Sequence, residues 1–181
     1  MQIIRLSRFI QSVNDQKASE ASLKALLNTF TCSANPDVQN FLHEKAIDSE
    51  NRRSVRTYLV VDNNEIVGYF SLRIETFDFH LDVSKSLRRI ISGNKSAERF
   101  PTLLIAQLGR SDKYRHQVPG REILLRALNT CINFASEIGG VYSAVVEYDD
   151  VPVLHSFYKN EGFKFIQQNH HNNKMMAGIK I

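Results

Sequence analysis

A basic loop running straight into a helix start is the stretch of this sequence best suited to chemistry. Leu103, Leu104, Ile105 and Ala106 form an apolar run, Gly109 interrupts its continuation, and a polar segment leads through Arg115, Pro119 and Gly120 into a long helical pattern. Strand, loop and helix N-terminus in succession place free backbone N–H groups beside Arg115 and Arg121, an arrangement that suits a phosphate or pyrophosphate. A nucleotide-bearing cofactor is the expectation. Pro119 modifies it, because proline has no N–H to offer and biases Val118 away from the helical region. The amides of Gly120, Arg121 and Glu122 remain as donors at the helix start.

The elements that must position this loop can be read from periodicity and punctuation. Ile3 to Leu6 reads as a short strand, and Ala21, Leu23, Leu26, Leu27 and Phe30 recur at helical spacing. Ser33 or Asn35 caps a second helix with Pro36 in its first turn and Val38, Phe41, Leu42 and Ala46 facing inward. Thr57 to Val61 and Ile66 to Leu72, joined by Asp62-Asn63-Asn64-Glu65, read as a hairpin. A short helix around Val83, Leu87, Ile90 and Ile91 stops at Gly93. Ile123, Ala127, Cys131, Phe134 and Ile138 line one face of the long helix, which ends at Gly139-Gly140. Beyond it come a strand from Val141 to Glu147, a helix capped by Asp149 or Asp150 with Pro152 in its first turn, and strands at Phe163 to Gln167 and Met175 to Ile181.

Composition narrows the class. With 181 residues and 43% apolar side chains, a single domain spanning 1–181 is expected, since domains commonly hold about 100 to 200 residues. No run approaches the ~20 apolar residues of a membrane span and the N-terminus lacks an apolar secretory region, so no membrane role and a cytoplasmic location are expected. Cys32 and Cys131 have neither metal spacing nor a framework of pairs. His170-His171 stands without acidic or thiol companions at ligand spacing, and no metal is expected. The net charge is +4, with nine Lys or Arg against three acids from His80 to Arg121. That cluster is either a solvated basic face or a surface for cofactor phosphates or nucleic acid.

The segment Phe157-Tyr158-Lys159-Asn160-Glu161-Gly162-Phe163, the loop Arg115-x-x-Val118-x-Gly120, and the run from Phe30-Thr31-Cys32 through Gly68-Tyr69-Phe70 together resemble a GNAT-type acyl-CoA N-acyltransferase, in a bacterial branch that includes aminoacyl-tRNA-acetylating toxins. The resemblance covers nearly the whole chain. It implies an α+β fold, a central, mostly antiparallel mixed sheet with one splayed strand pair, flanked by helices. It implies acetyl-CoA held by Gln107, Leu108, Gly109, Arg110, Arg115, His116, Gln117, Val118, Gly120 and Arg121, with Tyr158 touching the cofactor and protonating the departing thiolate. Gly109 marks the bulge that spreads the strands, or merely ends one. The family's loop carries glycine where Val118 stands, so Val118→Gly is expected to tighten CoA binding.

Acyl transfer needs a neutral amine, a held thioester and a proton for the thiolate. A tyrosine near pKa 10 can supply that proton to a thiol near 8.5; the competing role for Tyr158 is helix-end packing. Glu147 and Asp149 are the candidates for a base, of which Glu147 is preferred. An α-amino acceptor, half neutral near pH 8, would need none. Four functions are in view: N-acetyl transfer to a primary amine of unknown identity, toxin-like acetylation of aminoacyl-tRNA, a non-catalytic acyl-CoA-binding or regulatory module, and a core without CoA binding that contacts nucleic acid through Lys85 to Arg121. Partners in view are an amine acceptor, tRNA and a second copy in a homodimer.

Overall fold

The computed structural model describes residues 1–15 and 19–181. Seven strands form one sheet in the order β1-β2-β3-β4-β5-β7-β6. They are β1 Gln2–Arg5, β2 Arg56–Asp62, β3 Glu65–Asp78, β4 Arg99–Arg110, β5 Ser143–Tyr148, β6 Lys164–Gln168 and β7 Met175–Lys180. The helices are α1 Leu6–Asn14, α2 Glu20–Leu27, α3 Pro36–Asn40, α4 Ala46–Asn51, α5 Lys85–Ser92, α6 Gly120–Glu137 and α7 Pro152–Asn160. A π-helical turn, Phe41–Lys45, lies between α3 and α4, and a 3₁₀ turn, Asp112–Tyr114, lies in the basic loop. No described helix is long and apolar enough to cross a membrane. The chain divides into two compact units that interleave in sequence, Met1–Arg73 with Ala106–Ala127, and Ile74–Ile105 with Leu128–Ile181.

In the first unit, β1 runs antiparallel to β2 and β2 to β3. Asn63 and Asn64 turn the β2–β3 hairpin with φ of 46° and 61°, the left-handed backbone that asparagine tolerates best among residues with a side chain. The core is Leu6, Leu23, Leu27, Phe30, Val38, Leu42, Leu59, Ile66 and Tyr69. Tyr69 meets the edge of the Phe30 ring at a centroid distance of 5.1 Å, and its hydroxyl donates to the Val38 carbonyl. Asn35 caps α3 by accepting from the Val38 amide at 3.3 Å, as its place before Pro36 predicts. One helix escapes the sequence reading: α1 starts at Leu6, where a strand was expected to finish. The buried Leu6 and the inward Phe9, Ile10 and Val13 account for it, because tertiary burial outweighs weak local propensity.

In the second unit, β4 and β5 run parallel, β5 and β7 antiparallel, and β7 and β6 antiparallel. The helix α5 opens on Ser84, whose hydroxyl accepts from the Leu87 amide, and ends at Gly93 with φ 77°, the left-handed stop that glycine provides without strain. Phe77, Phe79 and Phe100 form an aromatic cluster with centroids 5.0–5.4 Å apart. The expected acidic cap of α7 is absent. Val151 holds the N-cap position with no side-chain bond, while Asp149 pairs with Lys174 and Asp150 with His155. Pro152 at the start of the helix supplies the preset φ instead. On α6 the inward stripe runs through Ile123, Ala127 and Cys131, and Ile138, expected to continue it, lies just past the helix end and is exposed.

Candidate active site

Of the expected site residues, Gln107 to Arg110 and Arg115 to Arg121 belong to the first unit, and Glu147 and Tyr158 to the second. Gly109 is explained by packing. A Cβ there would lie 2.6 Å from Val38 Cγ1 and 2.9 Å from Phe30 Cζ, and the Gly109 carbonyl oxygen would lie 2.7 Å from a Cβ on Gly68. The backbone of the neighbouring strand at Gly68, and the side chains of Val38 and Phe30 at Gly109, thus leave no room for a Cβ at either position. The β4–β5 ladder comprises the pairs Leu103–Ala144, Leu104–Val145 and Ile105–Val146. Its last pair lies four residues before Gly109, while β4 itself continues to Arg110 and β5 to Tyr148.

The basic loop is a compact turn with few spare donors. The amides of Arg115, Gln117 and Val118 are spent on the carbonyls of Asp112, Tyr114 and Tyr114, at 3.1, 3.1 and 2.9 Å. Glu122, expected to offer a free amide, donates instead to the Pro119 carbonyl at 3.0 Å. Arg110 Nη1 donates to the Val118 carbonyl at 3.0 Å, while its Nε is buried with no hydrogen-bond partner. That orphaned donor beside the loop fits an anionic ligand. Val118 has its side chain buried, so the position is a packing site as well as a loop position. Arg115, His116 and Gln117 are exposed on the turn, and Gln107 Oε1 lies 3.5 Å from the Tyr69 hydroxyl, whose hydrogen is given to Val38.

Carboxylates anchor the loop. Glu65 accepts from Lys113 Nζ at 2.6 Å and from the Tyr114 hydroxyl at 3.0 Å, and these donors hold its carboxyl below the usual range. Asp112 accepts from the Ser33 amide at 2.7 Å, and the Asp112 amide donates to the Thr31 carbonyl at 2.8 Å.

In the second unit, Tyr158 is buried on α7 among Tyr148, Phe157 and Phe163, with ring centroids 4.7, 5.1 and 5.4 Å away. Burial, and secondarily the charge of Tyr148 when ionised, push its phenol well above the usual tyrosine value. It lines a cleft of about 620 Å³ together with Tyr148, His155, Lys159, Phe163 and Phe165. Glu147 is occupied: its Oε1 accepts from Asn169 Nδ2 at 2.5 Å and from Asn172 Nδ2 at 3.1 Å. It therefore braces the turn that precedes β7. A second cavity, of about 260 Å³, is lined by Glu75, Asp78, His80, Gln167, Asn169 and His171. His80 stacks on His170 at 4.2 Å there, and Gln167 holds it by accepting from the His80 amide and donating to the Asp78 carbonyl.

Sequence reasoning missed the contacts of Tyr148, Asp150 and His155. The signal available was a strand-final tyrosine followed within seven residues by an acid and a histidine, with no family motif to mark it. The basic cluster is also thinner than its count suggests. Arg88 is buried, with its guanidinium donating to the carbonyls of Val83, Ala97 and His80 at 3.0, 2.8 and 2.8 Å. Arg99 pairs with Asp78 at 3.1 Å and Lys113 with Glu65. Lys85, Arg89, Lys95 and Arg115 are exposed.

No family model matches the sequence, and no curated protein sequence matches it. Solved structures do share the architecture. The toxin AtaT complexed with acetyl-methionyl-tRNAfMet aligns at 20% identity over 83% of this chain and 85% of that one, with a TM-score of 0.66. AtaTR bound with AcCoA aligns at 18% identity over 99% of this chain and 92% of that one, with a TM-score of 0.67. A tyrosine-to-phenylalanine mutant of KacT aligns at 17% identity over 83% and 85%, with a TM-score of 0.64. The seven-stranded mixed sheet flanked by helices is the GNAT-type α+β fold, and at these identities the likeness is one of fold.

Proposed function

We propose that this chain is an N-acetyltransferase that moves an acetyl group from acetyl-CoA to a primary amine. The observation that carries the reading is the three-pair β4–β5 ladder, after which β4 runs on for five residues. That backbone, from Ala106 through Gln107 and Leu108, would hydrogen-bond the pantetheine arm, and the Leu108 amide would polarise the thioester carbonyl. Arg110, Arg115 and the amides opening α6 at Gly120 would hold the diphosphate. His116, Gln117, Val118 and Arg121 complete that loop. Tyr158 would give its proton to the departing thiolate, while the engaged carboxylate of Glu147 is better placed to hold the Asn169–Asn172 turn than to take a proton from the amine. A fold neighbour crystallised with AcCoA supports the donor.

The acceptor favoured is an α-amino group, as on an aminoacyl-tRNA. Among the described residues no unengaged base stands out, and an amine with pKa near 8 needs little help; the neighbour holding acetyl-methionyl-tRNAfMet lends this support. A cytoplasmic location and a homodimer accompany this reading as proposals. A second reading, a module that binds acyl-CoA without turnover, is favoured by one specific observation: the Arg115, Gln117 and Val118 amides are already spent within the loop. Two measurements separate them. Acetyl-CoA at 100 times its dissociation constant should stabilise the protein by about 2.7 kcal/mol, and release of free thiol across a panel of amines and aminoacyl-tRNAs should accompany it. Stabilisation without thiol release supports the binding module, and the absence of both effects removes both readings.

A further inference from the structure

A buried tyrosine that gives up a proton must recover one before it can act again, and the surroundings of Tyr158 contain a route. Its ring lies 4.7 Å from that of Tyr148. The Tyr148 hydroxyl is 3.4 Å from His155 Nδ1, and His155 Nε2 is 2.6 Å from Asp150 Oδ1. The His155 side chain is 34% exposed and that of Asp150 62% exposed, so the row begins in solvent and ends at the buried pair. Tyr148, His155 and Tyr158 share the wall of the 620 Å³ cleft, which is large enough to hold water.

The hydrogen-bond inventory assigns the protons. A carboxylate only accepts, so Nε2 carries a hydrogen toward Asp150 in either charge state. In the neutral imidazole Nδ1 must accept, and the Tyr148 hydroxyl then points its hydrogen at His155 and away from the cleft. In the imidazolium Nδ1 donates, and the Tyr148 hydrogen turns into the cleft. The geometry points to Asp150, His155 and Tyr148 as a proton-return line that reloads Tyr158 from solvent. The balance closes. Tyr158 loses its phenolic proton to the thiolate and takes another, through cleft water, from Tyr148. Tyr148 takes the Nδ1 proton of His155, and His155 regains one from water. The amine proton shed on acylation leaves to solvent, so one proton enters for each that leaves. Besides these groups, the cleft wall bears Lys159 and Lys164, and Asp149 is paired with Lys174.

This line rests on the acid role proposed for Tyr158, but its test does not require turnover. With tyrosine labelled at Cζ with carbon-13, in equal parts light and heavy water, the Tyr158 resonance splits when its hydroxyl exchanges slowly and merges when exchange is fast. His155→Asn and Tyr148→Phe should each slow that exchange by about tenfold or more, and Asp150→Asn by a smaller factor. Thermal unfolding verifies that each variant is folded. Asp150 is at the surface, so Asp150→Asn decides the matter if the other two do not fold. Unchanged Tyr158 exchange in any folded variant of His155 or Tyr148, or in Asp150→Asn when it alone folds, overturns the proposal. A packing role would alter stability without altering exchange. In a separate experiment, absence of thiol release in the unmodified protein counts against the transferase reading and leaves the exchange result standing.

Discussion

In the proposed transfer, Tyr158 would act through one hydroxyl held among aromatic rings. Removing it by Tyr158→Phe should lower thiol release by about a hundredfold while leaving the acetyl-CoA thermal shift intact, because the ring and its packing survive. Full turnover in that variant would assign the acid elsewhere. The same burial has a consequence for stability. Tyr158, and Tyr69 in the first unit, have folded-state pKa values raised above the ordinary tyrosine value. A raised value means the folded state keeps a proton that the unfolded state releases. Their contribution is therefore complete below pH about 10 and is lost as pH rises through the folded values. The denaturation midpoint should fall steeply above that pH, and the tyrosinate absorbance owed to Tyr69 and Tyr158, isolated by comparison with their phenylalanine variants, should appear together with unfolding.

The elements most legible in the sequence were those with chemistry of their own. Asn63-Asn64 marked the hairpin turn, Asn35-Pro36 a helix start, Gly93 a helix stop, and the Phe157 to Phe163 segment the tyrosine-bearing helix with its turn. What could not be read was anything set by a distant partner. Gly109 reads as a bulge or a strand end, and nothing local marks its contact with Phe30 and Val38, which lie some seventy residues away in the chain. Arg88 counted as surface charge because three carbonyls that occupy it come from loops of no recognisable pattern. Gly68→Ala would set a Cβ 2.7 Å from the Gly109 carbonyl oxygen and 2.7 Å from Ile123 Cδ1; backbone cannot yield as a side-chain tip can, so it should destabilise by about 1–3 kcal/mol, measured by urea unfolding. Val118→Gly, which motif logic favours for tighter binding, removes a buried side chain from a position whose carbonyl holds Arg110. It should lower the unfolding midpoint and weaken the acetyl-CoA thermal shift; tighter binding would mean the loop rearranges when CoA arrives.

At the level of the whole molecule, the two compact units exchange segments along the chain, since β3, β4 and α6 each run from one into the other. Neither unit can be cut out as a continuous fragment. We therefore expect 1–181 to unfold as one domain. The cysteines allow a direct check, because Cys32 lies in the first unit and Cys131 in the second. If the two units melt together, both sulfurs become accessible to a thiol reagent at one denaturant concentration; two separated steps would mean independent units.

Those sulfurs carry a practical consequence. Burial raises the Cys32 thiol and takes Cys131 up to about 12, and only the thiolate form attacks a disulfide reagent. The native protein should therefore react slowly with a colorimetric thiol reagent, so that in the proposed transfer a few turnovers per molecule should be countable above the signal of the protein's own sulfurs.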